Sequence, residues 1–170
     1  MMIKRASRGL LLCRRHVSSR FLSSSADDGR LVTVETVANG VAKITLNDPK
    51  HLNALTVDMG DAFLDAIDSV ATSVRRGEVR AAVLTGAGSA FSAGGDMQWL
   101  LQRCDASRDA NMETMLDFYS RFLSIRSLPV PVVASLHGPA IGAGLGVALA
   151  CDTRVAWSEA KLGVSERVRE

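Results

Sequence analysis

Two glycine-rich bends are the places in this chain where the backbone itself could do chemistry. The first lies in GAGSAFSAGGDM, residues 86–97, where Gly94 and Gly95 sit side by side ahead of Asp96. The second lies in HGPAIGAGLG, residues 137–146, where Gly142, Ala143 and Gly144 open a run of small apolar residues. Each follows a short apolar segment, AAVLT at 81–85 and VPVVAS at 130–135. Such segments suit buried strands. Where a strand enters a helix through glycine, the first helical N–H groups have no intrahelical acceptor and no side chain covers them. With the positive end of the helix dipole, those donors favour an anion, or a carbonyl oxygen that is gaining negative charge.

Two other readings fit the second stretch. It could be a buried strand and helix with no site. Because no Asp, Glu, Lys or Arg stands between Arg126 and Asp152, and Gly138, Gly142 and Gly146 repeat a GxxxG spacing, it could also be a membrane helix. Pro129, Pro131 and Pro139 would interrupt that helix and His137 would lie near its middle, so no membrane span is expected.

The elements that must position these bends can be read from periodicity. Residues 31–37 and 41–46 alternate apolar and polar residues around Asn39-Gly40, which predicts a β-hairpin with a two-residue turn. Asn47, Asp48 and Pro49 stop the second strand. Thr56 caps a helix over 57–74, with Asp58 in its first turn and Met59, Phe63, Ile67, Val70 and Val74 along one face. A charged connection at 75–80 precedes the strand at 81–85. A short helix is expected over 97–104, then a longer one whose apolar face carries Met112, Met115, Leu116, Tyr119, Phe122 and Leu123, its methionines filling core. Gly138 and Pro139 break the strand before a helix that starts at Ile141, and a last strand is expected at 153–157. Alternating strands and helices with glycine at strand ends describe an α/β protein with a mostly parallel sheet, whose ligands lie beyond the carboxyl ends of the strands.

Charge separates the chain into two parts. Six arginines and lysines precede the first acidic residue, Asp27, and without residues 1–26 the formal charge falls from +2 to −4, 14 basic against 18 acidic side chains. A mildly acidic body argues against nucleic acid as a partner. The segment 1–28, rich in Arg and Ser and free of acids before Asp27, has the composition of a mitochondrial or plastid transit peptide, cleaved near 23–28; the mitochondrial matrix is the expected location, with residues 29–170 forming one domain there. Cys13, Cys104 and Cys151 show neither disulfide nor zinc spacing, and no metal is expected.

LNDPKHLNALTVDM (46–59), GAGSAFSAGGDM (86–97) and HGPAIGAGLGVALACDTRVA (137–156) resemble the three successive blocks of the crotonase, or enoyl-CoA hydratase/isomerase, superfamily. The resemblance implies a β-β-α spiral core, here incomplete at the C-terminus because family members run longer. It also implies a coenzyme A thioester as substrate with no separate cofactor, and a trimer or dimer of trimers. The N–H groups of Gly95 and Ala143 match the family's oxyanion hole, which holds the thioester oxygen as it becomes an enolate. Lys50, Leu52 and Ala54 match the loop that lies against the CoA nucleotide, where Lys50 or His51 could meet a phosphate. Ala93, Gly94, Gly95, Asp96 and Met97, with Gly142, Ala143 and Gly144, match residues lining the thioester. Hydratases also hold a water between two glutamates. The first falls at Gly146, so that acid is absent; the second falls at Glu166. Glu113 and Asp117, on a helix bordering the site in the family, are candidate stand-in carboxylates. The implied function is a hydratase or isomerase of fatty-acid or branched amino-acid breakdown. The alternatives are a thioesterase like the 3-hydroxyisobutyryl-CoA hydrolases, which also carry glycine at the first position, and a non-catalytic CoA-binding protein.

Overall fold

Alternation in the first segment produces the hairpin, but with a longer connection than the Asn-Gly pair suggests. The computed structural model describes residues 29–164; the transit-peptide expectation at 1–28 and Glu166 lie outside the described residues. β1 (Val32–Val37) and β2 (Val41–Leu46) pair antiparallel with Val37 opposite Val41, so the connection has three residues, Ala38, Asn39 and Gly40. Asn39 and Gly40 both take left-handed backbone (φ 68° and 69°), which these two residue types tolerate best. Arg80 closes the turn from outside. Its backbone N–H donates to the Gly40 carbonyl and its Nε–H to the Asn39 carbonyl, both at 2.8 Å.

α1 (Val57–Arg75) starts where Thr56 Oγ1 accepts the Met59 N–H at 3.0 Å, with Asp58 in the first turn facing the positive end of the dipole. Met59, Phe63, Ile67 and Val70 form its buried stripe, as the helical spacing predicts. After α1 the chain enters β3 (Ala81–Gly86), then α2 (Met97–Leu101) and α3 (Arg108–Leu123, capped by Ser107), then β4 (Val132–Leu136). β5 (Ala140–Ile141), α4 (Ala143–Ala150), β6 (Thr153–Ala156) and β7 (Leu162–Gly163) complete the described residues.

The main sheet runs β1-β2-β3-β4-β6, antiparallel only at the first pair. β2 and β3 end in register, Leu46 beside Gly86, so the chain leaves both strands at one edge of the sheet. β4 runs parallel to β3 and ends at the same edge. That topology brings the 46–59, 86–97 and 137–156 blocks together.

Three local expectations are corrected. α4 begins at Ala143 rather than Ile141, because Ala140 and Ile141 pair with β7 instead: the Ala140 N–H donates to Lys161 and the Gly142 N–H to Gly163. α2 ends at Leu101, short of residue 104. On α3 the buried residues are Phe118 and Phe122, while Met112 (57% exposed), Leu116 (67%), Tyr119 and Leu123 face outward and Met97 is exposed too. Two adjacent apolar stripes compete on that helix, and the aromatic one wins because its rings find partners. Phe122 packs against Phe63 and Phe118 at centroid distances of 5.7 and 5.2 Å, and Phe118 stacks on Trp99 at 4.8 Å. This row of rings joins α1, α2 and α3.

Phe122→Ala should therefore lower the free energy of unfolding by about 3–5 kcal/mol, whereas Leu116→Ala should change it by no more than about 0.5 kcal/mol. Urea denaturation of the two variants checks this, and equal losses would contradict the assignment of the buried face.

Candidate functional site

The glycine bends meet through a buried polar junction, and its centre is Asn53. This residue is fully buried with left-handed backbone (φ 54°). Its side-chain nitrogen lies 2.9, 2.9 and 3.3 Å from the carbonyl oxygens of Ala87, Ala90 and Phe91, and its Oδ1 accepts the Asp48 N–H at 2.9 Å. Every polar atom of the carboxamide is thus engaged, as burial demands. The bonds tie the 48–55 loop to the 86–91 loop.

Ser92, equally buried, carries the link onward. Its hydroxyl donates to the Asn53 carbonyl at 2.8 Å and accepts the Gly94 N–H at 3.1 Å. Its backbone N–H donates to Pro139 and its carbonyl accepts the Ile141 N–H, which forms a parallel bridge to Ala140. Alongside, the Ala93 N–H donates to Leu52 and the Leu55 N–H to Gly94, so the loop carrying Lys50, Leu52 and Ala54 runs beside residues 93–96. Neither Asn53 nor Ser92 stood out in the sequence reading. Asn lies inside LNDPKHLNAL as an ordinary loop residue, and only its burial marks it.

The two bends adjoin closely. Gly94 has φ 96°, and a Cβ built on it would lie 2.7 Å from the Ile141 carbonyl oxygen and 3.4 Å from the Ala143 nitrogen. No other residue type fits there. Leu55 donates to Gly94 and accepts from Asp96, so Gly95, paired with it as an isolated parallel bridge, turns its own N–H to the other side. Ala143 heads α4 behind Gly142 (φ 52°), which offers no side-chain cap. Among the described residues neither the Gly95 nor the Ala143 N–H meets an acceptor. Two neighbouring bends thus each carry an unpartnered backbone donor, one of them at a helix start.

The glycines of α4 differ in what surrounds them. Gly144 packs on Ser92, where an added Cβ would lie 2.7 Å from Cβ and Oγ. Gly146 is exposed, with nothing within 4 Å of such a Cβ.

Other sequence candidates fall into place around this junction. Asp96 caps α2, its Oδ1 accepting the Trp99 N–H at 2.7 Å, and Met97 begins that helix at the surface. His51 faces the Asp48 carboxylate, Nδ1 to Oδ2 at 2.8 Å, and Lys50, exposed on the same loop, has no side-chain partner among the described residues. Leu52, exposed and left-handed at φ 52°, is a strained non-glycine position held by the Pro49 carbonyl and by Ala93. Asp117 is ion-paired to Arg121, which also bonds Asp61 on α1; these two carboxylates, Asp61 foremost, hold the guanidinium pKa above its usual value. Glu113 lies exposed on the same helix. Among the described residues no group of three or more His, Cys, Asp or Glu side chains could hold a metal, and no helix is long and apolar enough to cross a membrane.

A hollow of about 390 Å³, lined by Ile125, Leu128, Val132 and Cys151 among others, lies at the opposite end of β4 and shares no residue with the bends. Burial there pushes the Cys151 thiol up to about 11, so it is a core residue and not a nucleophile.

A mostly parallel sheet with helical crossovers carries the two glycine bends beyond its strand ends, and comparison with known proteins shows which family has this fold. Residues 36–168 match the enoyl-CoA hydratase/isomerase family. A Thermus thermophilus relative whose name places it among enoyl-CoA hydratases is 38% identical over 133 residues, 78% of this chain and 51% of the relative. The solved enoyl-CoA hydratase/isomerase from Xanthobacter autotrophicus Py2 superposes with a TM-score of 0.70 at 32% identity, over 78% of this chain and 48% of that one. An enoyl-CoA hydratase from Thermoplasma volcanium gives 0.68 at 30% identity, over 79% and 51%. The chain belongs to the enoyl-CoA hydratase/isomerase family of the crotonase superfamily. It spans about half the length of the curated relatives it matches.

The contrast between the α4 glycines is testable. Gly146→Ala should stabilise the fold by about 0.5–1 kcal/mol, as an exposed helical glycine gains helix propensity, while Gly144→Ala should destabilise it by about 1–3 kcal/mol through overpacking on Ser92. Thermal melts of the pair give the sign of each change, and a shared sign would refute the packing described.

Proposed function

We propose that the paired bends bind the carbonyl oxygen of an acyl-CoA thioester and stabilise it as it turns negative, with Gly95 and Ala143 as the two N–H donors. The observation that supports this reading is that the two bends adjoin at Gly94 and that each carries a backbone donor without an acceptor among the described residues, one of them at the start of α4. Removing one such donor typically costs about 3 kcal/mol of barrier. Enolate formation and thioester hydrolysis both place negative charge on that oxygen, so one pair of donors serves hydratase, isomerase and hydrolase chemistry alike. The loop beside the bends, with Lys50 exposed on it, supports a site for the phosphates of the CoA moiety. Glu166 stands as the candidate acid or base.

Binding of crotonyl-CoA should shift the ultraviolet band of its conjugated thioester to longer wavelength, because the donors polarise the carbonyl, and CoA without an acyl group should bind with no such shift. A purified chain that neither binds the thioester nor changes its spectrum overturns the proposal. Turnover separates the readings: loss of the enoyl band marks hydration, and release of free CoA from 3-hydroxyisobutyryl-CoA marks hydrolysis. The hydrolase reading is favoured by Gly146, which is exposed and brings no acid to α4. Shift and binding without turnover, unchanged by Glu166→Gln, would mark a non-catalytic acyl-CoA binder.

We further propose the mitochondrial matrix as the site of action and a trimer or dimer of trimers as the assembly. The first rests on the Arg- and Ser-rich leader. The second is what the family resemblance implies; the exposed Val155 and Trp157 at and just beyond β6 supply apolar surface that a partner could cover. Fusion of residues 1–28 to a fluorescent reporter should send it to mitochondria, and a diffuse cytosolic signal would count against the leader.

A further inference from the structure

Gly94 is the hinge on which the first bend turns, and glycine alone would leave it loose. Its φ of 96° lies in a region glycine enters freely and leaves as freely, so nothing intrinsic to the residue holds it there. Two hydrogen bonds do. The peptide plane after Gly94 is fixed because its carbonyl accepts the Leu55 N–H at 2.7 Å. A trans peptide points its C=O and N–H in opposite directions, so this bond aims the Gly95 N–H away from Leu55. The plane before Gly94 is fixed by Ser92, whose Oγ accepts the Gly94 N–H at 3.1 Å.

The polarity of that second bond is also determined. Ser92 Oγ has one proton, and its neighbour at 2.8 Å is the Asn53 carbonyl oxygen, which can only accept. The proton therefore points at Asn53 and a lone pair faces Gly94. Ser92 also joins the second bend, through its backbone bonds to Pro139 and Ile141 and through its contact with Gly144. One small side chain thus touches the hinge of the first bend, the loop before it and the helix that presents the Ala143 N–H.

We infer that Ser92 is a positioning residue for thioester polarisation: its hydroxyl locks the Gly94 peptide so that the Gly95 N–H, held from the other side by Leu55, stays aligned with that of Ala143. The inference rests on the proposed function and adds to it a residue outside the donor pair. An alanine at this position keeps the packing on Gly144 but frees the Gly94 N–H and leaves the buried Asn53 carbonyl without its donor. Cysteine keeps a weaker donor and acceptor at the same branch point.

The test compares crotonyl-CoA bound to the wild-type chain, to Ser92→Ala and to Ser92→Cys. The wild type shifts the thioester band; Ser92→Ala binds CoA lacking an acyl group as the wild type does but loses the band shift, and any thioester turnover falls on the order of a hundredfold, the usual effect of a small misplacement. Ser92→Cys recovers part of the shift. A full shift in Ser92→Ala overturns the inference and leaves the proposed function standing, whereas binding without a shift in the wild type overturns both. Amide exchange in the wild-type chain keeps the inference testable should Ser92→Ala fail to fold. The Gly94 N–H should exchange slowly and the Gly95 N–H quickly until crotonyl-CoA slows it. Equally fast exchange at Gly94 and Gly95 without ligand overturns the inference.

Discussion

A single buried carboxamide joins the first two of the three stretches that carry the family motifs, and Ser92 extends the junction to the third. Asn53 sits where β2 has ended and α1 has not begun, and its side chain reaches three carbonyls of the loop that follows β3. Those carbonyls belong to a tight bend that has left the sheet, and strand pairing no longer satisfies them. A buried carbonyl without a donor costs about 1–3 kcal/mol, so the loop can turn inward only because the amide meets it there. The energy involved is comparable with that of a large core side chain, yet it acts on direction as well as on stability.

Direction is what a glycine-rich site most lacks. In the proposed site Gly94, Gly95 and Gly142 would let backbone approach a ligand closely, but each also enlarges the set of conformations the free chain can visit. Donors that wander stabilise a developing charge poorly, because realigning them during the reaction forfeits the advantage of a prepared site. Rigid hydrogen bonds around soft residues resolve the conflict. Here the bonds run from Asn53 to Ser92, from Ser92 to Gly94, and from Ser92 across to the strand that precedes α4. The glycines supply access and their neighbours supply stiffness.

The sheet makes this junction possible by bringing its strand ends to one edge. Parallel pairing of β2, β3 and β4 means that each must be re-entered from the far side, and of the crossover helices α1 packs on β1 and β2 while α3 packs on α1. The ring row from Phe63 through Phe122 and Phe118 to Trp99 binds the crossovers to one another. Among the described residues the two lateral edges of the sheet are β1, the outer strand of the hairpin, and β6, all four of whose residues are exposed.

Much of this was legible from residue order. The five strands of the main sheet, its mostly parallel pairing, the α1 stripe of Met59, Phe63, Ile67 and Val70, and the two glycine bends follow from local periodicity and turn chemistry, and three motifs in sequence pointed to the family, whereas the short strands β5 and β7 did not show in the sequence. Length along the chain says less about which of two apolar stripes faces inward. α3 offers Met112, Leu116, Tyr119 and Leu123 on one side and Phe118 and Phe122 next to it, and the choice was made by Phe63 and Trp99, which lie on other helices. Likewise Ile141 carries helix-compatible flanks but pairs with Gly163 in β7. Asn53 and Ser92 look like loop residues in sequence, since a polar side chain declares its role only through the partners it meets. The bonds that join the two loops span 34 to 39 positions, and nothing local encodes them. Periodicity is a property of neighbours in sequence, so it determined the elements; burial and hydrogen-bond satisfaction are properties of neighbours in space, so only the folded chain decided the junction.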